Sequence, residues 1–426
     1  MTHDLYQKFL KSTGVSTDTR TIKKGNIFFA LKGPNFNANK FADMALKSGA
    51  SYAVIDDPDY SIDHRTILVE NTLITLQDLA SYHRSKFDSP IIGLTGSNGK
   101  TTTKELINKV LSKKYKTLPT LGNLNNHIGV PLSILKISDS TDIGIIEMGA
   151  NKLGDIQELC QIVNPTHGLI TNIGQAHIEG FGSIDGVLRG KSELFDWLLR
   201  NNGVVFINSE DKTLSPMAKR FKNPVLYPGI SDFYHCTLEE TNPFIRIKTE
   251  DGFLINSKLI GSYNFSNVAT ALCIAKYFEV PPDAAKEAIE EYEPKDNRSQ
   301  IIRMGTNTII LDAYNANPSS MEAALIHLNE LKSENKIAIL GDMFELGDYT
   351  EKGHAKIGIL SKDMNLKQVI LCGERMRYAQ EKNNRAIYFK TRNELEEYLE
   401  NFTFEHSTIL IKGSRAMALE NILNKL

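Results

Sequence analysis

The chain has 426 residues, 41% hydrophobic and 23% charged, with a formal net charge of −2 at pH 7. That length and apolar content provide for about two to four packed domains, and the near-neutral balance gives no reason to expect nucleic acid or an anionic membrane surface as a partner. Cys160, Cys236, Cys273 and Cys372 show no CxxC spacing and no apolar stretch approaches a membrane span or signal core, so zinc, disulfides and membrane insertion are not expected, and a soluble, cytoplasmic, monomeric protein is.

Residues 1–88 read as a small α/β domain. Apolar runs at 26–31, 52–55 and 66–69 predict strands; 41–48, stopped by Gly49, and 75–86 carry helical spacing. Asp18-Thr19-Arg20 and Lys32-Gly33 are its polar clusters, either facing a ligand or lying in ordinary solvated loops. The stretch 86–90 predicts a linker into a second domain, 89–295.

That second domain is organised around residues 91–104. Ile91 to Leu94 predict a buried strand, Gly96, Ser97, Asn98 and Gly99 a tight turn, and residues 104–111 a helix. A strand, a glycine turn and a helix N-terminus present unpaired N–H groups and partial positive charge, which suits a phosphate. Lys100 can neutralise phosphate oxygens, and the hydroxyl of Thr101 or Thr102 can ligate magnesium. The spacing is shorter than the usual phosphate-binding loop, since Leu94 stands where that pattern needs glycine.

Alternating strands and helices follow and predict a mostly parallel sheet. Glu147 lies near the C-terminal end of a strand over 143–148, where ligands of open parallel sheets bind; a lone strand Glu is otherwise an edge or surface residue. His177 falls just beyond another strand end, either as a metal ligand or as a structural histidine. Lys191, at the start of a helical stretch, reads by spacing as a surface lysine. Residues 203–208 predict a strand, and 231–260 are irregular and strand-rich. Asn264 and Asn267 open an apolar helix over 268–277, either as caps or as exposed amides able to read an adenine edge.

A second linker at 293–297 leads into a third domain, 296–426. Strands over 308–311, 336–340, 369–372 and 408–411 each end in a polar or glycine turn, which describes a Rossmann-like sheet. No Gly-x-Gly-x-x-Gly fingerprint is present, so a nicotinamide role is not supported.

Taken together, Asp18-Thr19-Arg20 with the Phe-Phe-Ala-Leu-Lys-Gly run at 28–33, the Thr-Gly-Ser-Asn-Gly-Lys-Thr-Thr loop at 95–102, Gly-Asn-Leu-Asn-Asn-His at 122–127, Glu-Met-Gly-Ala-Asn at 147–151, Thr-Asn-Ile-Gly-x-Ala-His at 171–177 and Gly-Lys-Ser-Glu-Leu-Phe at 190–195 resemble the Mur ligases in nearly the whole chain. Asp-Ala-Tyr-Asn-Ala-Asn-Pro-Ser-Ser-Met at 312–321, Gly-Asp-Met-x-Glu-Leu-Gly at 341–347 and Lys-Gly-Ser-Arg at 412–415 are similar to the branch that adds D-alanyl-D-alanine to UDP-N-acetylmuramoyl-tripeptide. Asn37-Ala38-Asn39, where the family often has Asp-Gly-His, and His127, often acidic, depart from the pattern.

The resemblance implies an α/β protein of three domains: a uridine-nucleotide domain, a central phosphate-loop domain and a C-terminal Rossmann-like domain. It implies ATP and two magnesium ions, with the tripeptide carboxylate activated as an acyl phosphate that the dipeptide amine then attacks. By the same matching Gly96 to Thr102 hold the phosphates. Thr101, Glu147 and His177 hold magnesium, and Lys191 is carbamoylated into a further metal ligand. Asn264 and Asn267 contact adenine, and Arg298 and Asp312 reach phosphate and ribose. Thr19, Arg20, Lys32, Asn125, Asn126, Asn315, Asn317 and Lys412 contact the other substrates. Placing ATP ligands on two domains implies closure about linkers near 88 and 295. Three competing readings are a related ligase with another acceptor, including folate, a nucleotide-hydrolysing switch, and a structural protein with a vestigial loop.

Overall fold

The computed structural model describes residues 2–426. The first unit runs α1 (Thr2–Leu10), β1 (Val15–Ser16), β2 (Ile27–Phe29), a small hairpin of β3 (Lys32–Gly33) and β4 (Phe36–Asn37), α2 (Ala42–Lys47), β5 (Tyr52–Ile55), β6 (Thr66–Leu68) and α3 (Thr72–Arg84). Strands β1, β2, β5 and β6 pair in parallel in that order. The Asn71 side chain accepts from the Ile74 N–H and so starts α3. Leu76, Leu79, Ala80 and His83 then recur on one helical face, and that face is buried.

The joint near 88 is filled by packing. One apolar cluster joins Leu76 and Leu79 to Ile134, Ile156 and Leu159 of the second unit. The buried Arg84 donates from Nε to Val163 O at 3.0 Å and from Nη2 to Ser89 O at 3.2 Å. Buried guanidinium donors spent on loop carbonyls fix the chain path between α3 and the next strand. The third unit, in contrast, has its own clusters, which among the described residues take in one residue of the second unit, Ile260.

The second unit continues β7 (Ile91–Thr95), α4 (Lys100–Leu111), β8 (Thr117–Pro119), α5 (Gly129–Ile134), β9 (Ile143–Glu147), α6 (Asp155–Val163), β10 (His167–Ile170), α7 (Ile178–Phe181), α8 (Ile184–Arg200), β11 (Val204–Asn208) and β12 (Val225–Tyr227). The sheet order is β12-β11-β10-β7-β9-β8, parallel throughout. All five residues of β7 are buried, as a parallel strand covered on both faces requires. The strand-rich stretch before residue 261 resolves into an antiparallel sheet of β13 (Cys236–Glu240), β14 (Phe244–Thr249) and β15 (Leu254–Ile260), followed by α9 (Tyr263–Tyr277) and α10 (Pro282–Glu291).

The third unit comprises β16 (Gln300–Met304), β17 (Asn307–Asp312), α11 (Pro318–Glu330), β18 (Asn335–Gly341), α12 (Thr350–Asp363), β19 (Gln368–Cys372), α13 (Arg377–Gln380), β20 (Ile387–Phe389), α14 (Arg392–Glu400) and β21 (Ser407–Lys412). Its order is β16-β17-β21-β18-β19-β20, with β16 antiparallel and the rest parallel. The four expected strands are β17, β18, β19 and β21; the edge strands β16 and β20 were not expected. Among the described residues no helix is long and apolar enough to cross a membrane, and all four cysteines are buried and free.

Candidate active site

The sheet topology sets the site. From β7 the chain visits β8 and β9 on one side and then crosses to β10 on the other. Ligands of open parallel sheets bind at the carboxyl ends beside such a reversal. Leu94 lies level with Glu147, and Thr95 with Ile170, so the phosphate loop, the carboxylate and the segment leading to His177 leave the sheet side by side.

Two glycines shape the loop. Gly96 has φ +148°, and a Cβ there would lie 1.9 Å from Thr171 Oγ1. Gly99, at φ +77°, is the residue on which α4 starts. Asn172, unassigned by sequence, braces the turn: its carbonyl accepts from Ser97 N–H at 3.0 Å and its Oδ1 from Asn98 N–H at 3.0 Å. The N–H groups of Gly99 to Thr102 are the first-turn donors that α4 itself cannot satisfy. Lys100 Nζ donates to Gly96 O at 2.8 Å and curls over the loop. Burial pushes its pKa down, Arg298 adds to that, and Glu147 opposes it.

The side chain of Glu147 is committed at both oxygens. Thr101 Oγ1 donates to Oε2 at 2.9 Å and Asn125 Nδ2 to Oε1 at 2.8 Å. Fully buried Lys104 secures the loop that presents Asn125, donating to Thr120 O at 2.6 Å. Among the described residues no three His, Cys, Asp or Glu side chains cluster in a way that could hold a metal alone. A hydroxyl and one carboxylate beside a phosphate loop nevertheless suit magnesium, which takes few protein ligands and completes its shell with phosphate and water oxygens.

Lys191 departs from the surface position that spacing suggested. Helix α8 turns it inward, where it is 0% exposed and its Nζ has no hydrogen-bond partner. The Phe181 ring lies 5.5 Å away. Burial lowers its pKa well below 10.5, with Lys100 adding to the effect and Asp155 opposing it. An amine whose charge is disfavoured by burial and whose Nζ has nothing to donate to is a group awaiting a partner. His177 precedes α7 at φ +54°, its Nδ1 2.5 Å from Glu345 Oε2 of the third unit. His177 holds the Glu345 carboxyl below its ordinary range, against a burial effect of opposite sign.

The third unit closes onto the loop. Asn317 Nδ2 donates to Asn98 Oδ1 at 2.8 Å, and Asn98 Nδ2 to Ser319 Oγ at 3.1 Å. Asn317 also caps α11, so that helix points its N-terminus at the loop. Gly174 lies beneath Ser319, where a Cβ would come within 2.6 Å of Oγ. The Arg298 guanidinium stacks on Tyr314 at 3.5 Å. Lys412 Nζ donates to Asp312 Oδ2 at 2.6 Å and to Asn315 O at 3.1 Å.

A single cleft of about 1060 Å³ gathers Ser97 to Thr102, Glu147, His177, Arg298 and Asp312, running from Gln77 of α3 past the phosphate loop to Lys412; the buried Lys191 does not border it. Asn264 and Asn267 line it, but as buried residues inside the first turns of α9, neither capping it nor exposed. Asn264 Nδ2 is spent on Ile260 O and Asn267 Nδ2 on Asn264 Oδ1, each at 2.8 Å. Asn126 borders the cleft while its Oδ1 accepts from Gly129 N–H at 2.8 Å. Thr19, Arg20 and Lys32 do not border it. Arg20 is exposed and paired with Asp18, and Lys32 pairs with Asp56 at 2.9 Å. The buried Asn39 side chain donates to the same Asp56, tying the departure at 37–39 to the end of the interior strand β5.

The fold and this two-domain cleft define a nucleotide-dependent ligase architecture, and comparison with known proteins agrees. The Mur ligase middle domain matches residues 94–275, and the Mur ligase, glutamate ligase domain matches 297–415. The chain belongs to the Mur ligase family. It is similar to the UDP-N-acetylmuramoyl-tripeptide–D-alanyl-D-alanine ligases of Bacillus subtilis and Escherichia coli, at 32% identity to each, over 97% of this chain and 93% of each relative. Crystal structures of MurF from Acinetobacter baumannii (TM-score 0.89, 29% identity, 100% of this chain and 98% of that one) and of MurF ligase from Thermotoga maritima in complex with ADP (TM-score 0.86, 25% identity, 98% and 97%) share its fold.

Proposed function

We propose that the chain forms an amide between the terminal carboxylate of UDP-N-acetylmuramoyl-tripeptide and the amine of D-alanyl-D-alanine at the expense of ATP, a cytoplasmic step of peptidoglycan precursor synthesis. The observation that carries this is the meeting of the phosphate loop and its Thr101–Glu147 pair with Arg298 and Asp312 of another domain in one cleft.

A carboxylate is a poor electrophile and does not condense with an amine at neutral pH. Transfer of the γ-phosphoryl group makes it an acyl phosphate, and attack by the dipeptide amine then releases phosphate. Phosphoryl transfer asks for positioning and charge neutralisation rather than covalent help. The first-turn N–H groups of α4 and Lys100 orient the β- and γ-phosphates, and Lys100 must leave Gly96 O to do so. Arg298 supplies positive charge from the opposite wall. Asp312 reaches the ribose side of the cleft, and Asn315, Asn317 and Lys412 face the dipeptide or the tripeptide end. Asn264 and Asn267 border adenine, whose recognition falls to the faces their internal bonds leave free.

Thr101, Glu147 and His177 would hold two magnesium ions, which when bound neutralise charge on the transferring phosphoryl group. Burial favours the uncharged amine of Lys191, whose Nζ would add to carbon dioxide, forming an N–C bond and releasing a proton, to become an anionic carbamate. Its burial without a partner supports that assignment. Asn125 orients Glu147 from the acceptor side of the cleft, so the tripeptide and the metal share one support.

The test is phosphate release from ATP and magnesium with the tripeptide substrate and the dipeptide, together and each omitted in turn. Release that needs both, with a product heavier by the dipeptide, is expected. Release with neither would mean a nucleotide switch, and activity only with another amino acid or a folate would mean a different acceptor.

A further inference from the structure

The segment 341–347 was singled out by sequence, yet the reaction as described gives Glu345 no role. We propose that Glu345 is a positioning residue, which the third domain applies to His177 so that the imidazole is correctly set only when the domains are closed; this rests on the functional reading above.

The contact itself is specific. His177 Nδ1 is buried without an aligned hydrogen bond, and the carboxylate oxygen Glu345 Oε2 lies 2.5 Å from it as the contact that faces it across the interface. A carboxylate in contact with Nδ1 fixes which way the ring faces and leaves Nε2 as the nitrogen free for the cleft that His177 lines. A histidine that donates one ring N–H to a carboxylate and offers the other nitrogen to a metal is the usual way such a ligand is oriented.

The backbone on both sides is built for this meeting. His177 has φ +54° and Glu345 φ +61°, two non-glycine residues in the left-handed region facing one another across the interface. Such conformations persist where surrounding structure holds them and concentrate at functional sites. The surroundings of Glu345 do hold it. Met343 N–H donates to buried His354 Nε2 at 3.0 Å, and Phe344 N–H to Ser414 Oγ at 2.9 Å. Met343 and Leu346 are buried in the third unit's core, so the exposed Glu345 is carried between two anchors.

The opposing segment is fastened to the same loop. Glu179 N–H donates to Glu345 O at 3.3 Å, and Gln175 Nε2 to Tyr349 Oη at 3.0 Å. Gly347 keeps the approach open, since a Cβ there would come within 3.2 Å of Glu179 Cβ. An incidental surface ion pair needs none of this framework.

The test compares full-length wild type with Glu345→Ala and Glu345→Gln by three measurements. Steady-state kinetics should show kcat lowered about 10–100-fold in Glu345→Ala, the range for loss of such a supporting carboxylate. The KM for ATP should stay within about twofold, because the phosphate contacts are elsewhere, and Glu345→Gln, whose amide oxygen still accepts from Nδ1–H, should recover most of the rate. Binding of Mn²⁺ with a non-hydrolysable ATP analogue, read by electron paramagnetic resonance, should weaken about tenfold in Glu345→Ala whichever acceptor the chain uses. Small-angle scattering with that analogue should be the same for all three proteins. Unchanged Mn²⁺ affinity, a Gln variant as impaired as the Ala variant, or scattering that shows Glu345→Ala held open would overturn the proposal. Wild type that binds Mn²⁺ normally but ligates no dipeptide would instead overturn the functional reading and leave the Mn²⁺ comparison to decide on Glu345.

Discussion

Replacing Lys191 with Met should make the protein more stable and inactive. Nζ is buried without a partner, and a buried polar group left unsatisfied costs about 1–3 kcal/mol. Met is unbranched, fills nearly the same volume beside Phe181 and removes that cost. In a cooperative unit of about 150–250 residues each kcal/mol raises the melting temperature by about 2–4 °C. A pH dependence accompanies it. The folded amine sits well below 10.5, so at intermediate pH the unfolded chain binds a proton that the folded chain does not. Wild-type stability therefore rises with pH up to 10.5, by at most about 1.4 kcal/mol per pH unit from this group, and the Met variant lacks that rise. Differential scanning calorimetry in carbon-dioxide-depleted buffer with chelator, from pH 7 to 9, should show the variant melting higher at pH 7 and its advantage shrinking toward pH 9. A variant that melts below wild type at pH 7, or a gap independent of pH, would refute the unpartnered-amine argument. Wild-type turnover in the same variant would remove the carbamate.

Three further outcomes are expected. Glu147→Gln keeps both hydrogen-bonding neighbours near but removes the charge, so the magnesium concentration for half-maximal activity should rise at least tenfold; an unchanged titration counts against a metal role. Gly96→Ala forces a Cβ to 1.9 Å from Thr171 Oγ1 at φ +148°, and calorimetry should show ATP affinity at least tenfold weaker, corresponding to loop strain of about 1–3 kcal/mol. Lys412→Met leaves Asp312 facing the cleft without its buried partner and should destabilise the third domain by about 3 kcal/mol, the low end for breaking a buried pair because Asp312 keeps 18% exposure; equal denaturation midpoints would refute it.

The three-unit division, the central parallel sheet and the phosphate loop were legible because each rests on a local pattern: apolar runs, glycine turns and helix starts. The edge strands β16 and β20 were not, since they are short and only partly buried and so lack a continuous apolar signal. Lys191 shows the limit most clearly. Its neighbours Gly190 and Ser192 look like a solvated helix start, and the packing of α6, α7 and the sheet around α8 makes the position interior. Asn172 and Glu345 act on residues 74 and 168 positions away, which no window of sequence can display. The asparagines at 264 and 267 were found by pattern, yet their burial and mutual bonding come from α9 lying against α4.

Gly174 gives the two-domain cleft an unusual property. Its backbone is one any residue adopts, and the atom a side chain would strike, Ser319 Oγ, belongs to the other domain. Within its own domain an alanine there would press only on the end of the Asn98 side chain, at 3.3 Å. A methyl group at 174 is thus chiefly a wedge between the two walls. At Gly96 and Gly99, by contrast, the added atom would strike Thr171 and Asn267 of the same domain at positive φ, so the constraint there is internal to one wall.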